Sequence, residues 1–310
     1  MLNRAVAAYD LLRKWFTLIP IVIAPINYFI DAPFGRFALQ NDSIFTVDGI
    51  KSWIVMELAS PLSFMYTFYH APLTSSLIPN FTPHLASPTR APASLLALFF
   101  LAHYTNRAII SPLRTPSRSK SHLVVPLAAL CFNLINGFLM AAYLSSPHAR
   151  TFLSGAYGRP AFWAGLALAV AGLAGNILHD EVLFDIRRKA QAKKAAASSD
   201  SGGAADPAKP KEKEHYAIPH GYLYAYISYP NYLCEWVEWA GFALAAAPLY
   251  VPSSTAVNVG LGVWGLSPPW IFLLNEVLLM TPRALKGHAW YKQKFADYPK
   301  ERTAVIPWIL

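Results

Sequence analysis

Long apolar runs, separated by short polar connections, dominate this chain. Seven of them approach or reach the roughly 20 residues with which an α-helix crosses the hydrocarbon core of a bilayer. They lie near residues 15–30, 52–70, 93–111, 123–144, 161–185, 231–250 and 257–281. The pattern predicts an all-α integral membrane protein built as a bundle of seven transmembrane helices. The first run is the shortest and contains Pro20 and Pro25, so a bundle of six spans stays open.

Composition and charge placement agree with a membrane protein. The 310 residues are 55% hydrophobic and only 14% charged, unlike an ordinary soluble domain. Basic residues concentrate in three segments, 107–120, 187–194 and 283–302, which share one side of a seven-helix bundle. The positive-inside rule makes that side, with the C-terminus, cytosolic. Most of the net charge of +9 then comes from loop residues that orient the protein in the membrane. No nucleic-acid partner is predicted.

We interpret residues 1–310 as a single membrane domain with one insert. Residues 190–214 are rich in Ala, Ser, Gly, Pro and Lys and contain no aromatic or branched aliphatic side chain. This composition predicts a flexible cytosolic insert, although the preceding helix could also extend into it. Cys131 and Cys234 both fall inside apolar runs, so neither a disulfide framework nor a metal site is predicted.

Polar residues inside the apolar runs are the candidate functional groups, because a charge within a membrane span is costly unless it has a partner or a role. They are Glu57, His103, Tyr104, Arg107, Asn176, Asp180, Arg187, Asn231, Glu235 and Glu238. Within each run they are spaced three, four or seven residues apart and therefore share a helix face. Near a helix end such groups can simply meet headgroups or water, and this reading stays open for Arg187.

Two C-terminal stretches carry a family resemblance. "YAIPHGYLYAYISYPNYLCEWVEWAGFAL" and "RALKGHAWYKQKFADYPKERTAVIPWIL" resemble the steroid 5α-reductase family of membrane oxidoreductases. The resemblance is strongest over residues 174–310 and extends to "MELASP" and "AHYTNR" nearer the N-terminus. In one place the chain departs from it: where the family has consecutive histidines, "LKGHAWY" has Gly287 and leaves only His288.

The resemblance implies a multi-pass enzyme of the endoplasmic reticulum membrane that uses NADPH to reduce the C=C bond of a 3-oxo-Δ4-steroid to the 5α-reduced ketone. Hydride addition to the β-carbon of an enone builds negative charge on the carbonyl oxygen, which needs a hydrogen-bond donor. By resemblance, Glu57 and Tyr104 bind and polarise that carbonyl. We expect a monomer whose partners are a lipophilic, steroid-like enone and membrane lipid.

The cofactor site is also implied by resemblance. No GxGxxG follows a strand in this sequence, so a Rossmann domain is excluded and NADPH must lie within the helix bundle. Its contacts are expected at Arg107, Asn176, Asp180, Arg187, Tyr216, Asn231, Glu235, Arg283, His288 and Tyr291. Glu238 is interpreted as a partner of Glu235 or as a surface charge.

Other functions stay open at this stage. A trans-2-enoyl-CoA reductase and a polyprenol reductase share the C-terminal motifs. An isoprenylcysteine-type methyltransferase has a related arrangement of C-terminal helices, and a non-catalytic sterol-binding protein would need no chemistry at all. The presence of both Glu57 and Tyr104 favours enone reduction over methyl transfer, which has no carbonyl oxyanion to stabilise.

Overall fold

The computed structural model describes residues 2–37, 44–74, 89–200, 216–251 and 265–310. Helices make up most of this part of the chain. They are α1 Leu2–Asn27, α2 Gly49–His70, α3 Pro92–Thr105, α4 Ser111–Arg114, α5 Val124–Leu144, α6 Pro147–Leu153, α7 Pro160–Asp200, α8 Pro230–Ala246 and α9 Pro268–Lys294. A π-helical turn, Asn106–Ile110, joins α3 to α4, and short 3₁₀ turns lie at Gly35–Phe37, Ala156–Gly158 and Tyr222–Ala225. Two antiparallel strands, β1 Thr46–Val47 and β2 Ser121–His122, pair Thr46 with His122.

A long helix lies at each of the seven predicted runs. Three of the described helical segments are long and apolar enough to cross a membrane: Pro92–Arg114, Val124–Leu144 and Pro160–Ala197. The protein is therefore an all-α membrane protein, while seven as the number of spans stays a prediction. In the last run, residues 257–264 lie outside the described residues, and α9 begins only at Pro268.

Local sequence signals fix several helix starts. Proline occupies the first turn of α3, α6, α8 and α9, where its missing N–H costs nothing and its fixed φ suits a helix. The side chain of Asp48 accepts hydrogen bonds from Ile50 N and Lys51 N at the start of α2. These caps set where each membrane helix enters the bundle.

Small residues bring two helix pairs into close backbone contact. α7 packs along α8, where a Cβ on Gly172 would collide with the backbone of Glu238. α2 packs along α5, where a Cβ on Gly137 would collide with the carbonyl of Ser60. Such close approach is the usual way in which membrane helices associate. It places the polar side chains of α7 and α8, and those of α2 and α5, within hydrogen-bond reach.

The N-terminal helix is part of the bundle. Pro20 and Pro25 both lie inside α1, which packs against α9. Arg13 is only 2% exposed; it donates to the carbonyl of Val251 at 3.3 Å and pairs with Asp10 at 3.2 Å. This arginine is therefore an internal charge and says little about which side of the membrane the N-terminus faces.

The predicted insert at 190–214 begins as helix. α7 continues without a break to Asp200, which is the extension that the sequence left open. Residues 201–215 lie outside the described part of the chain.

Candidate active site

Arg107 is the centre of a charged cluster inside the bundle. Its Nε lies 3.6 Å from Oε1 of Glu57 on α2, and its Nη2 lies 3.6 Å from Oε1 of Glu235 on α8. Arg107 belongs to the π-helical turn that directly follows Tyr104 and Thr105. A π turn inserts an extra residue and changes where the next side chains point, and such turns are frequent at functional sites. Here Arg107 reaches two carboxylates from two other helices.

His103 and Glu238 form a second buried pair. His103 Nδ1 lies 2.6 Å from Glu238 Oε1, and Glu238 is completely inaccessible to solvent. The interpretation of Glu238 as a surface charge or a partner of Glu235 is wrong, because α8 turns Glu238 towards α3 while Glu235 contacts Arg107 and α7. Glu238 follows Glu235 by three residues, and nothing in this spacing predicts that the two carboxylates point to different helices.

Tyr104 is held by two asparagines of α5. Asn136 Nδ2 donates to the phenol oxygen at 3.0 Å, and the phenol donates to Asn133 Oδ1 at 3.4 Å. The amide of Asn133 also donates to the carbonyl of Met56 at 2.9 Å, next to Glu57. Glu57 and Tyr104 thus lie on neighbouring helices, α2 and α3, but their hydrogen bonds and ion pairs run to different residues.

The candidate cofactor residues of α7 and α8 lie together. Asn176 Nδ2 donates to the carbonyl of Asn231 at 3.0 Å and to Glu235 Oε2 at 3.3 Å. Asn231 Nδ2 donates to Asp180 Oδ1 at 3.0 Å. Because Asn176 binds the main-chain carbonyl of Asn231, the backbone of Asn231 joins two side-chain pairs, Asn176–Glu235 and Asn231–Asp180, into one polar network that ends on the carboxylate facing Arg107.

A cavity of about 410 Å³ adjoins this network, within the size range of small-molecule and cofactor sites. Seven of the predicted site residues line it: Arg107, Asp180, Arg187, Tyr216, Asn231, Arg283 and Tyr291. The other five are not among its lining residues: Glu57, Tyr104, Asn176, Glu235 and His288. Glu57 nevertheless lies next to it, because Met56 lines the cavity and Glu57 pairs with Arg107, which also lines it.

The wall of the cavity is rich in arginine. Trp53 lies between two guanidinium groups, with Arg118 3.7 Å and Arg107 4.9 Å from its ring centroid. Arg187 Nη1 donates to Thr115 Oγ1 and to the carbonyl of Ser117, both at 3.2 Å. Arg283 donates to the carbonyl of Phe34 at 3.2 Å. Asp180 is the one carboxylate among the lining residues, so the wall carries excess positive charge.

Within the part of the chain that the structure describes, three buried polar atoms in the wall have no hydrogen-bond partner. They are Arg118 Nε, Ser119 Oγ and Ser121 Oγ, all on the connection between α4 and α5. Burial, together with the nearby Arg107 and Arg187, lowers the pKa of Arg118 to about 10. Buried polar groups are normally satisfied, and a cluster of unsatisfied donors among arginines suits a phosphate-bearing ligand. The residues present therefore fit a phosphorylated dinucleotide.

Sequence reasoning missed several of these groups. Arg118 was counted only as a loop charge, although "SRSKSH" alternates hydroxyl and basic residues as a phosphate-binding loop would. Asn133 and Asn136 were overlooked, although an amide pair within a long apolar run is itself a signal. Glu276 on α9, which contributes to the electrostatic surroundings of Arg107, was also not singled out.

His288 and Gly287 lie behind the cavity wall. His288 Nδ1 lies 2.5 Å from the hydroxyl oxygen of Ser228, which lines the cavity and also contacts the hydroxyl of Tyr298 at 2.6 Å. The hydroxyl of Tyr229 occupies the space that a side chain at position 287 would need. Tyr229 also lines the cavity, so a histidine at position 287 would require this tyrosine to move.

Known proteins match most of the chain. A family model described as 3-oxo-5-alpha-steroid 4-dehydrogenase matches residues 206–253 and 259–310. An uncharacterized protein of Schizosaccharomyces pombe is 34% identical over 96% of this chain and 98% of its own length. Steroid 5-alpha-reductase DET2 of Solanum lycopersicum is 32% identical, covering 91% of this chain and 89% of the relative. The 3-oxo-5-alpha-steroid 4-dehydrogenase 1 of Rattus norvegicus is 29% identical, covering 91% and 87%.

Proposed function

Because the chain belongs to the steroid 5α-reductase family, we propose that it is an NADPH-dependent reductase of a lipophilic enone of the 3-oxo-Δ4-steroid type. The observation that carries this proposal is the arginine-lined cavity directly beside the buried cluster of Glu57, Arg107 and Glu235. An anionic cofactor needs an arginine-lined cavity. A carbonyl oxygen that becomes an oxyanion needs polar groups beside it that are shielded from water.

In this proposal NADPH supplies the hydride, and the chain's own residues bind and orient the two reactants. Arg118, Arg187 and Arg283 hold the phosphates, with Ser119 and Ser121 as further donors. Tyr216 and Tyr291 line the cavity along the cofactor, while Asn231 and Asp180 bind polar groups of the cofactor nearer the cluster around Arg107. Asn176, Glu235 and His288 act indirectly, because they contact Asn231, Arg107 and Ser228 respectively.

Tyr104 and Glu57 act on the substrate in this proposal. The enone gains a hydride at its β-carbon and a proton at its α-carbon, so the overall reaction consumes one NADPH and one proton and yields NADP⁺. Between the two transfers the electrons of the C=C bond rest on the carbonyl oxygen as an enolate. The Tyr104 hydroxyl donates to that oxygen, and Glu57 supports it from α2. Both lie in a water-poor interior, where such hydrogen bonds contribute most.

The test is to supply membranes containing the protein with NADPH and a panel of enones: a 3-oxo-Δ4-steroid, a trans-2-enoyl-CoA and a polyprenal. The expected result is a saturated 3-oxo-5α-steroid formed with stoichiometric loss of NADPH absorbance. Saturation of only the acyl-CoA or the polyprenal would assign the chain to another substrate class. No saturated product from any of them would overturn the proposal.

The orientation proposed is with the C-terminus in the cytosol, in the membrane of the endoplasmic reticulum and as a monomer. Arg118, Arg187 and Arg283 then lie on the side where NADPH is available. Protease accessibility of a tag after Leu310 in sealed microsomes checks the orientation, and protection of that tag would contradict it.

A further inference from the structure

Two buried asparagines of α5 hold the phenol of Tyr104, and the proposed function gives neither of them a role. Asn133 and Asn136 are three residues apart on α5, so both face the same side of the helix. Their side chains and Tyr104 are at most 5% exposed. Burying two primary amides in a membrane helix is costly unless their hydrogen bonds are satisfied. Both amides direct their bonds to this tyrosine or to the backbone next to Glu57.

The two amides are oriented differently. Asn133 donates to the carbonyl of Met56 at 2.9 Å, so its NH₂ group points to α2 and its oxygen is left to accept from Tyr104. Asn136 donates to the phenol oxygen at 3.0 Å, so that oxygen already receives one hydrogen bond. The side chain of Ser60 on α2 is a further polar neighbour of that oxygen. The phenol's own hydrogen has Asn133 Oδ1, 3.4 Å away, as its acceptor.

That last contact is longer than a good O–H···O bond, which spans about 2.7–2.8 Å. The hydrogen of Tyr104 is therefore held weakly and can turn to a better acceptor at little cost. The bond from Asn136 is shorter, and it stabilises negative charge on the phenol oxygen. A donor that is itself hydrogen-bonded in this way becomes a stronger donor, because hydrogen bonds in a chain polarise one another.

We propose that Asn136 and Asn133 are positioning residues for Tyr104: Asn136 strengthens the phenol as a donor to the substrate oxyanion, and Asn133 holds its hydrogen until the carbonyl arrives. This proposal rests on the proposed enone reduction. It adds two residues of α5 to a site that the family resemblance locates on α2, α3, α7, α8 and the C-terminal segment. Neither asparagine touches the cofactor cavity, so NADPH binding should not depend on them.

A double-mutant cycle tests this role. Asn136→Leu keeps the size of the side chain and removes the donor; it is expected to lower kcat for enone reduction about tenfold with the KM for NADPH unchanged. In a Tyr104→Phe background, the same substitution should lower kcat less than twofold, because the group through which it acts is gone. An equal loss in both backgrounds, or no loss in the wild type, would overturn the proposal.

Asn275→Leu is the matched control. Asn275 is also fully buried, but its amide donates to the carbonyls of Phe16 and Ile271 and makes no contact with Tyr104. Its loss should reduce the yield of folded protein without lowering kcat per folded molecule. If Asn275→Leu and Asn136→Leu lowered kcat equally, a general loss of packing would explain both, and the positioning role would be wrong.

A second readout does not depend on turnover. With 3-fluorotyrosine incorporated at position 104, the ¹⁹F resonance of the detergent-solubilised protein should shift on Asn136→Leu and stay in place on Asn275→Leu. An unshifted resonance in both variants would overturn the contact itself. A shifted resonance in a protein that reduces no enone would retain the contact and reject the proposed function, and with it the catalytic role of the asparagines. The two failures are therefore distinguishable.

Discussion

The buried cluster and the cofactor cavity use the same residue types in opposite ways. In the cluster, His103 faces Glu238 and Arg107 faces Glu57 and Glu235, so each basic group meets a carboxylate from another helix. In the cavity wall, Arg118 and Arg283 meet aromatic rings and a backbone carbonyl. Within the described residues, neither of these two arginines forms an ion pair. Across the described residues the cluster holds these charges in pairs, although Glu238 Oε2 has no hydrogen-bond partner. Arg118 and Arg283, by contrast, line a cavity and suit an anionic ligand.

The largest effect is expected when one partner of a buried pair in the cluster is removed. Glu238→Ala leaves His103 buried without its carboxylate, and removal of one partner of a buried pair typically costs about 3–5 kcal/mol. We expect a large loss of folded protein and a lower thermal midpoint in detergent. Glu181→Ala is the control, since it removes a carboxylate from partly exposed pairs with Arg114 and Arg188. Equal stability of the two variants would show that the buried pair contributes little.

The second test separates chemistry from cofactor binding. Tyr104→Phe should lower kcat roughly 10²- to 10³-fold, the usual loss when one oxyanion donor is removed. Glu57→Gln should also lower kcat, because it removes the charge that pairs with Arg107. The KM for NADPH should change little, because neither residue lines the cavity. Steady-state kinetics with a 3-oxo-Δ4-steroid measure both quantities. Wild-type rates in both variants would refute the catalytic assignment.

The third test probes the cavity wall with two adjacent arginines. Arg187 lines the cavity, whereas Arg188 pairs with Glu181 and Asp185 outside it. Arg187→Ala should raise the KM for NADPH about 10- to 100-fold, as expected for a lost charge-assisted contact of about 1.5–3 kcal/mol, whereas Arg188→Ala should leave it unchanged. If Arg187 contacts the 2′-phosphate, the preference for NADPH over NADH narrows as well. A preference that stays the same in both variants would make Arg187 a topological charge only.

The fourth test concerns the unsatisfied donors. Burial lowers the pKa of Arg118 to about 10, below the usual 12.5 or higher of arginine. A base with a lowered pKa destabilises the folded state fully at every pH below about 10, and this cost declines between that value and the unfolded pKa of about 12.5. Arg118→Met should therefore raise the thermal midpoint of the cofactor-free protein at pH 7 by a few degrees while it weakens NADPH binding. A lower midpoint without any change in NADPH affinity would contradict this assignment.

The smallest expected effect concerns residues 201–213, whose composition predicts a flexible insert. Replacing residues 201–213 with a Gly/Ser linker of equal length should change kcat and the KM for NADPH less than twofold. The replaced segment has no aromatic or branched aliphatic residue, so it cannot bury enough apolar area to offset its ordering. A loss of NADPH binding would show instead that its lysines reach the cofactor.

The helices could be predicted more completely than the site. The apolar runs at 52–70 and 123–144 lie close to the helices Gly49–His70 and Val124–Leu144. However, α1 begins at Leu2 rather than near residue 15, and α9 ends at Lys294 rather than near residue 281. The pairing of polar side chains was harder, because which helices become neighbours depends on packing. Gly172 and Gly137 allow the close approaches that bring Asn176 to Glu235 and Asn133 to Met56. Nothing in the linear pattern states which helix each glycine meets.

The sequence alone determined that this protein is helical, belongs in a membrane and resembles a steroid 5α-reductase, because apolar periodicity and the C-terminal motifs are local properties of the chain. Only the tertiary structure decided that Glu238 pairs with His103, that Asn136 and Asn133 hold Tyr104, and that Arg118 Nε lies in the cavity wall with no hydrogen-bond partner among the described residues. The physical reason is that the partner of a buried polar group is chosen by helix packing in three dimensions. Residue type fixes only that a partner is needed.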